Sequence, residues 1–366
     1  MMDDLLDDLL DELPELQDGL TRHQRRILTS LARKTGSRRG QTIRSDLLLA
    51  DMLGGPVPSL ERALVAGARS AERDPYLAAY RALVELAQPF TTRYPLVIGT
   101  GNFGSIDGDP PVDAVFTRCC LSSLGAAAAA GLVPHLLING AAGRAGEPGF
   151  RWLPHHLGDV LAAVAALIEH PALTDEELAA SLPGPDFPTG GALVSRSAAR
   201  DIYLTGEGRL PVRGRAEPAS VDGRPAVIVT ELPFTVAPGA FAAELTDGMR
   251  ARRLPALADV IDDRGAHGLR IVLPLRAGAT PGPTIEALFA QTRLQIALPV
   301  DMVALVDGAP RRVSLPVLLR AFARSLADRV SAAGERAATP AALLAELDAL
   351  RGHVDARRTT VPPTDA

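Results

Sequence analysis

The stretch RYPLVIGTGNFGSIDGDPPVDAVFTRCC, residues 93–120, constrains the fold more than any other part of the chain. Its glycines, Gly99, Gly101, Gly104 and Gly108, permit tight turns that other residues avoid. A glycine-rich loop can also cradle a nucleotide. However, the residue order is not that of a phosphate-binding loop, G-x-x-x-x-G-K-[ST], and no Rossmann-type pattern surrounds it. The loop is therefore predicted to shape the backbone.

This stretch carries RYP, then GNFGSIDGD, then VFT, and it resembles the signature of the A subunit of type IIA DNA topoisomerases, the family of bacterial gyrase and topoisomerase IV. In that family the third motif is RYT, and its tyrosine attacks a DNA phosphodiester. Here Phe116 stands at the tyrosine position and Val115 at the arginine before it. A phenyl ring has no oxygen for a phosphodiester link. The resemblance therefore predicts a family member with no intact catalytic residue.

The segment LPELQDGLTRHQRRILTSL, residues 13–31, resembles a family segment whose helix approaches DNA. A helix is predicted after Thr21, and its Arg25 and Arg26 are able to contact phosphates bidentately. Gln17 and Thr21 replace an arginine and a lysine of the family, so two phosphate contacts are expected to be lost. A solvated arginine pair on an exposed helix face is the alternative interpretation.

The family's basic shell around the scissile phosphate is also replaced. Residues 45–58, SDLLLADMLGGPVP, align with the recognition-helix region, and the family's two histidines then fall on Val57 and Ser59. If the alignment gap is placed earlier, they fall on Glu72 and Asp74, whose carboxylates would repel a phosphate. Either alignment removes the cations that strand cleavage needs.

The resemblance continues beyond this stretch. VPHLLINGAAG, residues 133–143, is followed by Arg144, where the family has an isoleucine that wedges between base pairs. His155 in LPHHLGD matches a family histidine. A metal site formed by His135, His155 and His156 lacks a carboxylate or cysteine at ligand spacing, so structural histidines are predicted.

Strands are predicted within VIVTELPF (227–234) and HGLRIVLPL (267–275), which are rich in β-branched residues. PGAFAAELTDGMRARRL (238–254) lies between them and has the pattern of a helix. Another amphipathic helix is predicted at 341–358.

The predicted fold class is therefore α+β: a winged-helix DNA-gate domain, an α+β tower domain and C-terminal helices. The predicted boundaries are an acidic N-terminal helix at 1–17, the winged-helix domain at 18–130, the tower domain at 131–308, C-terminal helices at 309–358 and a disordered tail at 359–366. The family's full coiled coil and its β-pinwheel domain are expected to be absent, so the resemblance implies a truncated A subunit.

Composition sets broader limits. The chain has 366 residues, enough for two cores, and no apolar run approaches the roughly 18 residues of a membrane span. Its only cysteines are the adjacent Cys119 and Cys120, so no disulfide framework is predicted and the expected location is cytoplasmic. The net charge of -5 argues against a general nucleic-acid coat, although a local basic face is enough for DNA binding.

No substitute nucleophile is evident near Phe116. The tyrosines lie elsewhere in the sequence: Tyr76, Tyr80, Tyr94 and Tyr203. Cys119 and Cys120 are expected within one helical turn of Phe116, but no lysine or histidine nearby lowers a thiol pKa. Both are predicted to be small core residues.

The leading functional hypothesis is a non-catalytic, topoisomerase A-subunit-like scaffold. It is expected to form a homodimer or to pair with a topoisomerase B subunit or gyrase, and to hold duplex DNA without cutting it. The predicted DNA contacts are Arg25, Arg26, Arg93 and Arg144. No cofactor or metal is predicted in this chain, since Mg²⁺ and ATP would belong to a B subunit.

Two alternatives remain open at this point. One is a functional subunit of an ATP-dependent type II topoisomerase that uses another chain's nucleophile. The other is a protein-interaction modulator or decoy of gyrase without DNA contact. No membrane partner is expected.

Overall fold

The computed structural model describes residues 13–35, 41–57, 74–142, 150–264, 268–332 and 339–354. Most of the predicted N-terminal helix, Arg144 and the tail lie outside these residues. Residues 13–17, the described end of that predicted helix, instead take part in a β-bridge and a turn. Within the described chain helices alternate with mainly antiparallel sheets, which confirms the predicted α+β class.

The described residues of the first module form three helices and a small sheet. Its elements are α1 (Arg22–Thr35), β1 (Ile43–Arg44), α2 (Ser45–Leu53), α3 (Pro75–Ala87), β2 (Val97–Thr100) and β3 (Arg118–Leu121). The antiparallel strands have the order β1-β3-β2. Helix α1 buries Ile27, Leu28 and Leu31, whose spacing places them on one face of the helix.

The chain then builds a five-stranded sheet with helices packed around it. The elements up to and including its strand β7 are α4 (Ser123–Ala129), α5 (His135–Asn139), β4 (Ala141–Ala142), β5 (Phe150–Trp152), α6 (Leu157–Glu169), α7 (Asp175–Ser181), β6 (Ala192–Leu193), α8 (Arg196–Thr205) and β7 (Glu207–Arg213). The buried residues of this part and of the first module form one continuous core. The boundary predicted at residue 130 therefore does not coincide with a break in the core.

A second, smaller core has its buried residues between Val227 and Leu294, with Ala216 and Ile296 packed against them. Its elements are β8 (Arg215–Val221), β9 (Arg224–Glu231), α9 (Pro238–Arg250), β10 (Ile261–Asp262), β11 (Ile271–Pro274) and α10 (Pro281–Gln291). The strands have the order β10-β11-β9-β8. The two predicted strands and the predicted helix are confirmed here, although the helix and the second strand are shorter than their motifs.

Helix α9 ends before its motif does because Arg252 takes a left-handed conformation, with φ of 57°. The amide of Arg252 donates to the carbonyl of Met249 at 3.0 Å, and the amide of Arg253 donates to that of Gly248 at 2.8 Å. These two bonds form a Schellman motif, which satisfies the last carbonyls of the helix. Arginine is an unusual residue at this position, where glycine is the common choice.

The last part of the chain returns to the first core. It comprises β12 (Gln295–Asp301), β13 (Val303–Val306), β14 (Ala309–Arg312), α11 (Leu315–Ala332) and α12 (Pro340–Leu350). Strand β12 completes the five-stranded sheet, whose order is β4-β5-β12-β7-β6. Every helix in the described ranges falls short of the length or apolarity that crossing a membrane requires.

Candidate nucleic-acid interface

Phe116 lies on a single 3-10 turn, Ala114–Phe116, between the glycine-rich loop and β3. The amide of Phe116 donates to the carbonyl of Asp113 at 2.9 Å, and the Asp113 carboxylate accepts from the amide of Val115 at 3.3 Å. Ala114 is buried, whereas Phe116 is 75% exposed and Val115 is 39% exposed. The turn therefore presents two apolar side chains to solvent.

The residue after the turn fixes its position. Thr117 is fully buried, and its hydroxyl donates to the hydroxyl of Ser45 at 2.7 Å. The amide of Ser45 in turn donates to the carbonyl of Thr117 at 3.0 Å. Gly101 packs against the same turn with φ of 108°, and a Cβ there would lie 3.0 Å from the Phe116 carbonyl oxygen. The turn is thus held to the first residue of α2 and to the glycine-rich loop.

The positions that replace the family's basic shell supply no cation in the described chain. Helix α2 ends where Gly54 adopts a left-handed conformation, and Val57 beyond it is half-buried against the first core. Asp74 caps α3 by accepting from the amide of Tyr76 at 2.8 Å. Ser59 and Glu72 lie outside the described residues.

Helix α2 itself carries two charged side chains, and both are ion-paired. Asp46 contacts Arg44 at 2.6 Å, and Asp51 contacts Lys34 at 3.0 Å. The Arg44 guanidinium, through its hydrogen bond and its charge, lowers the pKa of Asp46 against the opposing effect of burial. The solvent face of this helix is consequently close to neutral.

Two of the predicted DNA contacts require correction, and the first is Arg25. Its guanidinium makes two bonds of 2.8 Å to the Asp18 carboxylate and one of 3.2 Å to Glu15. A bidentate arrangement of this kind satisfies the same donors that a phosphate would use. Arg25 therefore stabilises the turn before α1 and is not a free cation.

The second correction concerns Arg93. Its side chain is 2% exposed, and its Nε lies 2.7 Å from Oδ2 of Asp186. The guanidinium also lies over the ring of Tyr94, 4.5 Å from the centroid. The Asn139 side chain binds both the amide and the carbonyl of Tyr94, at 2.6 and 3.0 Å. The RYP motif therefore joins the first module to the five-stranded part, and Arg93 does not reach a DNA surface.

Arg26 is exposed, and its guanidinium donates to the Met52 carbonyl near the end of α2. Arg144, the remaining predicted contact, lies outside the described residues. The rise per residue of a helix places Met52 about 10 Å from Ser45, which holds the turn. Phe116 and Arg26 are thus associated with opposite ends of α2.

Sequence reasoning missed Arg118. It is exposed on β3 directly opposite Arg44, and its guanidinium donates twice to Thr42 at 2.9 Å. No carboxylate within the described ranges forms an ion pair with it. The alternation of a strand could have revealed it, because the neighbouring Cys119 is fully buried and points the other way.

Tyr76 and Tyr80 are closer to the turn than their sequence positions suggest. The hydroxyl of Tyr80 donates to the Val112 carbonyl, just before Asp113, and the two rings stack with centroids 6.0 Å apart. Burial raises the pKa of Tyr80 to about 12 and raises the pKa of Tyr76 further. Both phenols are therefore protonated at neutral pH and enclosed by the core, which does not favour either as a nucleophile.

Cys119 and Cys120 lie on strand β3 and not on a helical turn, which corrects the expected geometry. Both are buried, as predicted for small core residues. Burial raises the pKa of the Cys119 thiol to about 11 and also raises the pKa of Cys120. Since the thiolate is the reactive form, neither cysteine is activated.

His135 and His155 are buried core residues. Nδ1 of His155 lies 2.8 Å from the Leu137 carbonyl, and its Nε2 lies 2.9 Å from the hydroxyl of Tyr203. His135 contacts Asn139 at 3.1 Å. Burial lowers the pKa of each imidazole to about 4. The described residues contain no group of histidine, cysteine or carboxylate side chains that could hold a metal ion.

The glycine-rich loop also contacts the second core through Asp107. The carboxylate of Asp107 accepts from the amide of Gly239, in the first turn of α9, at 2.8 Å. It also pairs with Arg264, which contacts Asp262 at 2.6 Å. Partial burial alone would raise the pKa of Asp107, but these two partners lower it. One loop therefore links the Phe116 turn to both cores.

Comparison with known proteins places this geometry in a family. A family model for the A subunit of DNA gyrase/topoisomerase IV matches residues 76–130 and 126–347, well over half of the chain. The chain belongs to this gyrase/topoisomerase IV A-subunit family. The resemblance that was based on the motifs is thereby confirmed, and the family match includes the Phe116 turn, most of the first core, the second core and α11.

The relatives in this family are gyrase A subunits. A probable chloroplastic/mitochondrial gyrase A subunit from Oryza sativa is 31% identical over 340 residues, which is 85% of this chain and 35% of that protein. The gyrase A subunit of Pseudomonas aeruginosa is 31% identical over 339 residues, with the same coverage. The Arabidopsis thaliana protein is 32% identical over 338 residues, 85% of this chain and 34% of that protein. The chain spans about a third of the length of these curated relatives.

Proposed function

We propose that this protein is a non-cleaving member of the gyrase A family that holds duplex DNA. The observation that carries the proposal is Phe116, which occupies the nucleophile position of the family signature on a turn fixed by Thr117 and Ser45. A phenyl ring offers no oxygen to a phosphate. Val115 stands where the family signature has an arginine, and either alignment of the histidine region also replaces the family's histidines, so the loss of the tyrosine is not isolated.

The proposed architecture follows the family. The helices and small antiparallel sheet described within residues 18–130 fit a winged-helix domain, and residues 131–308 fit a tower domain followed by helices at 309–358. We propose a cytoplasmic homodimer that also pairs with a topoisomerase B subunit. Mg²⁺ and ATP would then be bound by that subunit.

The proposed DNA surface is formed by the exposed part of the first module. Its exposed cations without an ion-paired carboxylate in the described chain are Arg26, Arg33, Arg81 and Arg118. Of these, Arg118 contacts Thr42 just before α2 and Arg26 contacts Met52 near its end, and α2 itself is close to neutral. Few phosphate contacts give weak binding without base preference, because affinity for duplex DNA comes mainly from neutralised phosphates. We therefore expect modest affinity that decreases steeply with salt.

Replacing Arg26 by glutamine is expected to reduce the slope of log affinity against log salt by about 0.9, the contribution of one phosphate contact. Arg118→Gln should have the same effect. Arg250→Gln is the matched control, because Arg250 is an exposed arginine on the second core. Fluorescence anisotropy with one duplex across a salt series measures all four slopes.

Two outcomes of this titration would contradict the proposed surface. Equal slopes for the wild type and all three variants would place DNA elsewhere on the molecule. Absence of binding at low salt would reject DNA holding and favour an interaction module.

No covalent adduct with DNA is expected from the wild type or from Phe116→Tyr. Groups that act together in catalysis are non-additive, so restoring one hydroxyl does not replace the missing cations. The measurement is incubation with supercoiled DNA, Mg²⁺ and a gyrase B subunit, then denaturation and a search for protein-linked strands. A cleaving gyrase A protein is the positive control. Adducts from Phe116→Tyr would show that the rest of the site is competent.

A protein-interaction module is the second candidate, and one observation favours it. Most of the exposed large apolar side chains among the described residues belong to the first module: Leu47, Ile98, Ile106, Val115 and Phe116. Exposed apolar surface of this kind often marks a protein contact. This candidate predicts binding to a gyrase subunit that persists without DNA and changes little with salt.

A further inference from the structure

We propose that Phe116 is a stacking platform for an unpaired nucleobase, so that the protein prefers DNA interrupted by a gap over intact duplex. This inference rests on the proposed function, since it requires DNA at the first module. It adds the form of DNA that is recognised and gives the ring at the nucleophile position a binding role.

The first step is that the ring is exposed on a fixed backbone. Phe116 is the most exposed of the large apolar residues in the described chain, at 75%. Its backbone is nevertheless held by Asp113 on one side and by the buried Thr117 on the other. A fixed backbone matters because the turn that carries the ring does not have to be ordered when a base stacks on it, which lowers the entropy cost of binding.

The second step concerns what surrounds the ring. Thr117 is buried, so the residues on either side of it, Phe116 and Arg118, both lie on the solvent side. Proteins that bind single strands combine an aromatic surface for the base with a cation for the backbone. Phe116 and Arg118 provide these two elements next to each other, whereas a surface for an apolar protein partner has no need of the cation.

The third step selects the form of the DNA. In an intact duplex the bases are stacked within the helix, and a ring on a protruding turn meets only sugar and phosphate. A gap leaves a base that costs little to unstack. Arg26 is bonded to Met52, which lies about 10 Å along α2 from the Ser45 that holds the turn, roughly three base pairs along a duplex. It can therefore contact the backbone of the flanking arm.

The test compares Phe116→Ala with the wild type on three DNAs of one sequence: an intact duplex, a duplex with a single-nucleotide gap, and a single strand. Loss of one base–aromatic stack should weaken binding to the gapped duplex by about 5-fold to about 150-fold. Intact duplex should change by less than about twofold, since phosphates carry that affinity. Comparison of the gapped duplex with the single strand separates recognition of a gap from binding of unpaired bases in general.

Matched variants and a second signal make the test specific. Val115→Ala removes a neighbouring exposed apolar side chain of the same turn and should leave every affinity unchanged. Phe116→Trp retains a ring and should retain the preference for the gap. A fluorescent 2-aminopurine beside the gap should be quenched by the wild type and by Phe116→Trp, but not by Phe116→Ala.

Four results would overturn this inference. A wild type that binds intact duplex as tightly as gapped DNA would reject stacking while leaving the proposed function intact. A Phe116→Ala variant that still prefers gapped DNA and still quenches the 2-aminopurine would also reject stacking and leave the proposed function intact. If Phe116→Ala binds all three DNAs like the wild type but loses self-association or B-subunit binding, the ring belongs to a protein interface. A wild type that binds none of the DNAs would reject the proposed function together with this inference.

Discussion

Replacing Arg93 by methionine should lower the free energy of unfolding by about 3–5 kcal/mol, the usual cost of removing one partner from a buried ion pair. Arg93 and Asp186 are both nearly inaccessible and lie 2.7 Å apart. Methionine fills much of the same volume but leaves the carboxylate without its counter-ion. Urea denaturation followed by circular dichroism measures the loss.

The matched control is the double variant Arg93→Met with Asp186→Leu. Removing both charges eliminates the unpaired carboxylate, and apolar replacement of a buried pair is often nearly neutral. A second comparison is Arg250→Ala, whose exposed pair with Asp247 should contribute at most about 1 kcal/mol. If Arg93→Met is no more destabilising than Arg250→Ala, the ion pair does not hold the two parts of the first core together.

The local motifs predicted secondary structure well where apolar periodicity was strong. The strands within residues 227–234 and 267–275 and the helix within 238–254 form, because their β-branched and apolar positions build the second core. The early end of α9 was not predictable, since it depends on Arg252 in a conformation that arginine rarely adopts.

The roles of the arginines were the least predictable part of the site. Sequence spacing identifies a cation but not its partner, and the partners of Arg25 and Arg93 lie 7 and 93 residues away. A long-range ion pair of this kind leaves no periodic signal. By contrast, the exposure of Arg118 follows from the alternation of β3, whose register with β1 and β2 is visible only in the fold.

Tyr76 and Tyr80 illustrate the same limit. Their distance from Phe116 in the sequence predicts that they are remote, yet α3 packs beneath the loop that leads to the turn. Membership of the family, by contrast, was predicted correctly from the motifs. It depends on consecutive residues and not on contacts that only the fold creates.

Acidification from about pH 6.5 to about pH 4 is expected to destabilise the protein through His135 and His155. Burial lowers the pKa of each to about 4, and an imidazole in an unfolded chain titrates near 6.5. Between these values the unfolded chain binds more protons, so stability decreases as the pH falls. Each histidine contributes roughly 3 kcal/mol of this loss, at about 1.4 kcal/mol for each pKa unit.

Burial keeps the His155 imidazole neutral in the fold by lowering its pKa, although the hydrogen bond to the Leu137 carbonyl opposes this effect. The Leu137 carbonyl can only accept, so Nδ1 carries the proton and Nε2 accepts from the hydroxyl of Tyr203. A second proton on Nε2 would place a positive charge inside the core, where burial disfavours the charged form. Carboxylates with lowered pKa values, such as Asp46 and Asp107, lose their contribution only below this range. Glu85, whose pKa burial raises, acts in the opposite direction.

The measurement is urea denaturation at several pH values between 7 and 4. In a His135→Gln, His155→Gln double variant the pH dependence in this window should largely disappear, although its stability at pH 7 should be lower because buried hydrogen bonds are altered. His170→Gln is the matched control, because His170 is exposed and its replacement should leave the curve unchanged. The prediction would be wrong if the free energy of unfolding of the wild type stayed constant between pH 7 and pH 4. It would also be wrong if His170→Gln changed the dependence of that free energy on pH.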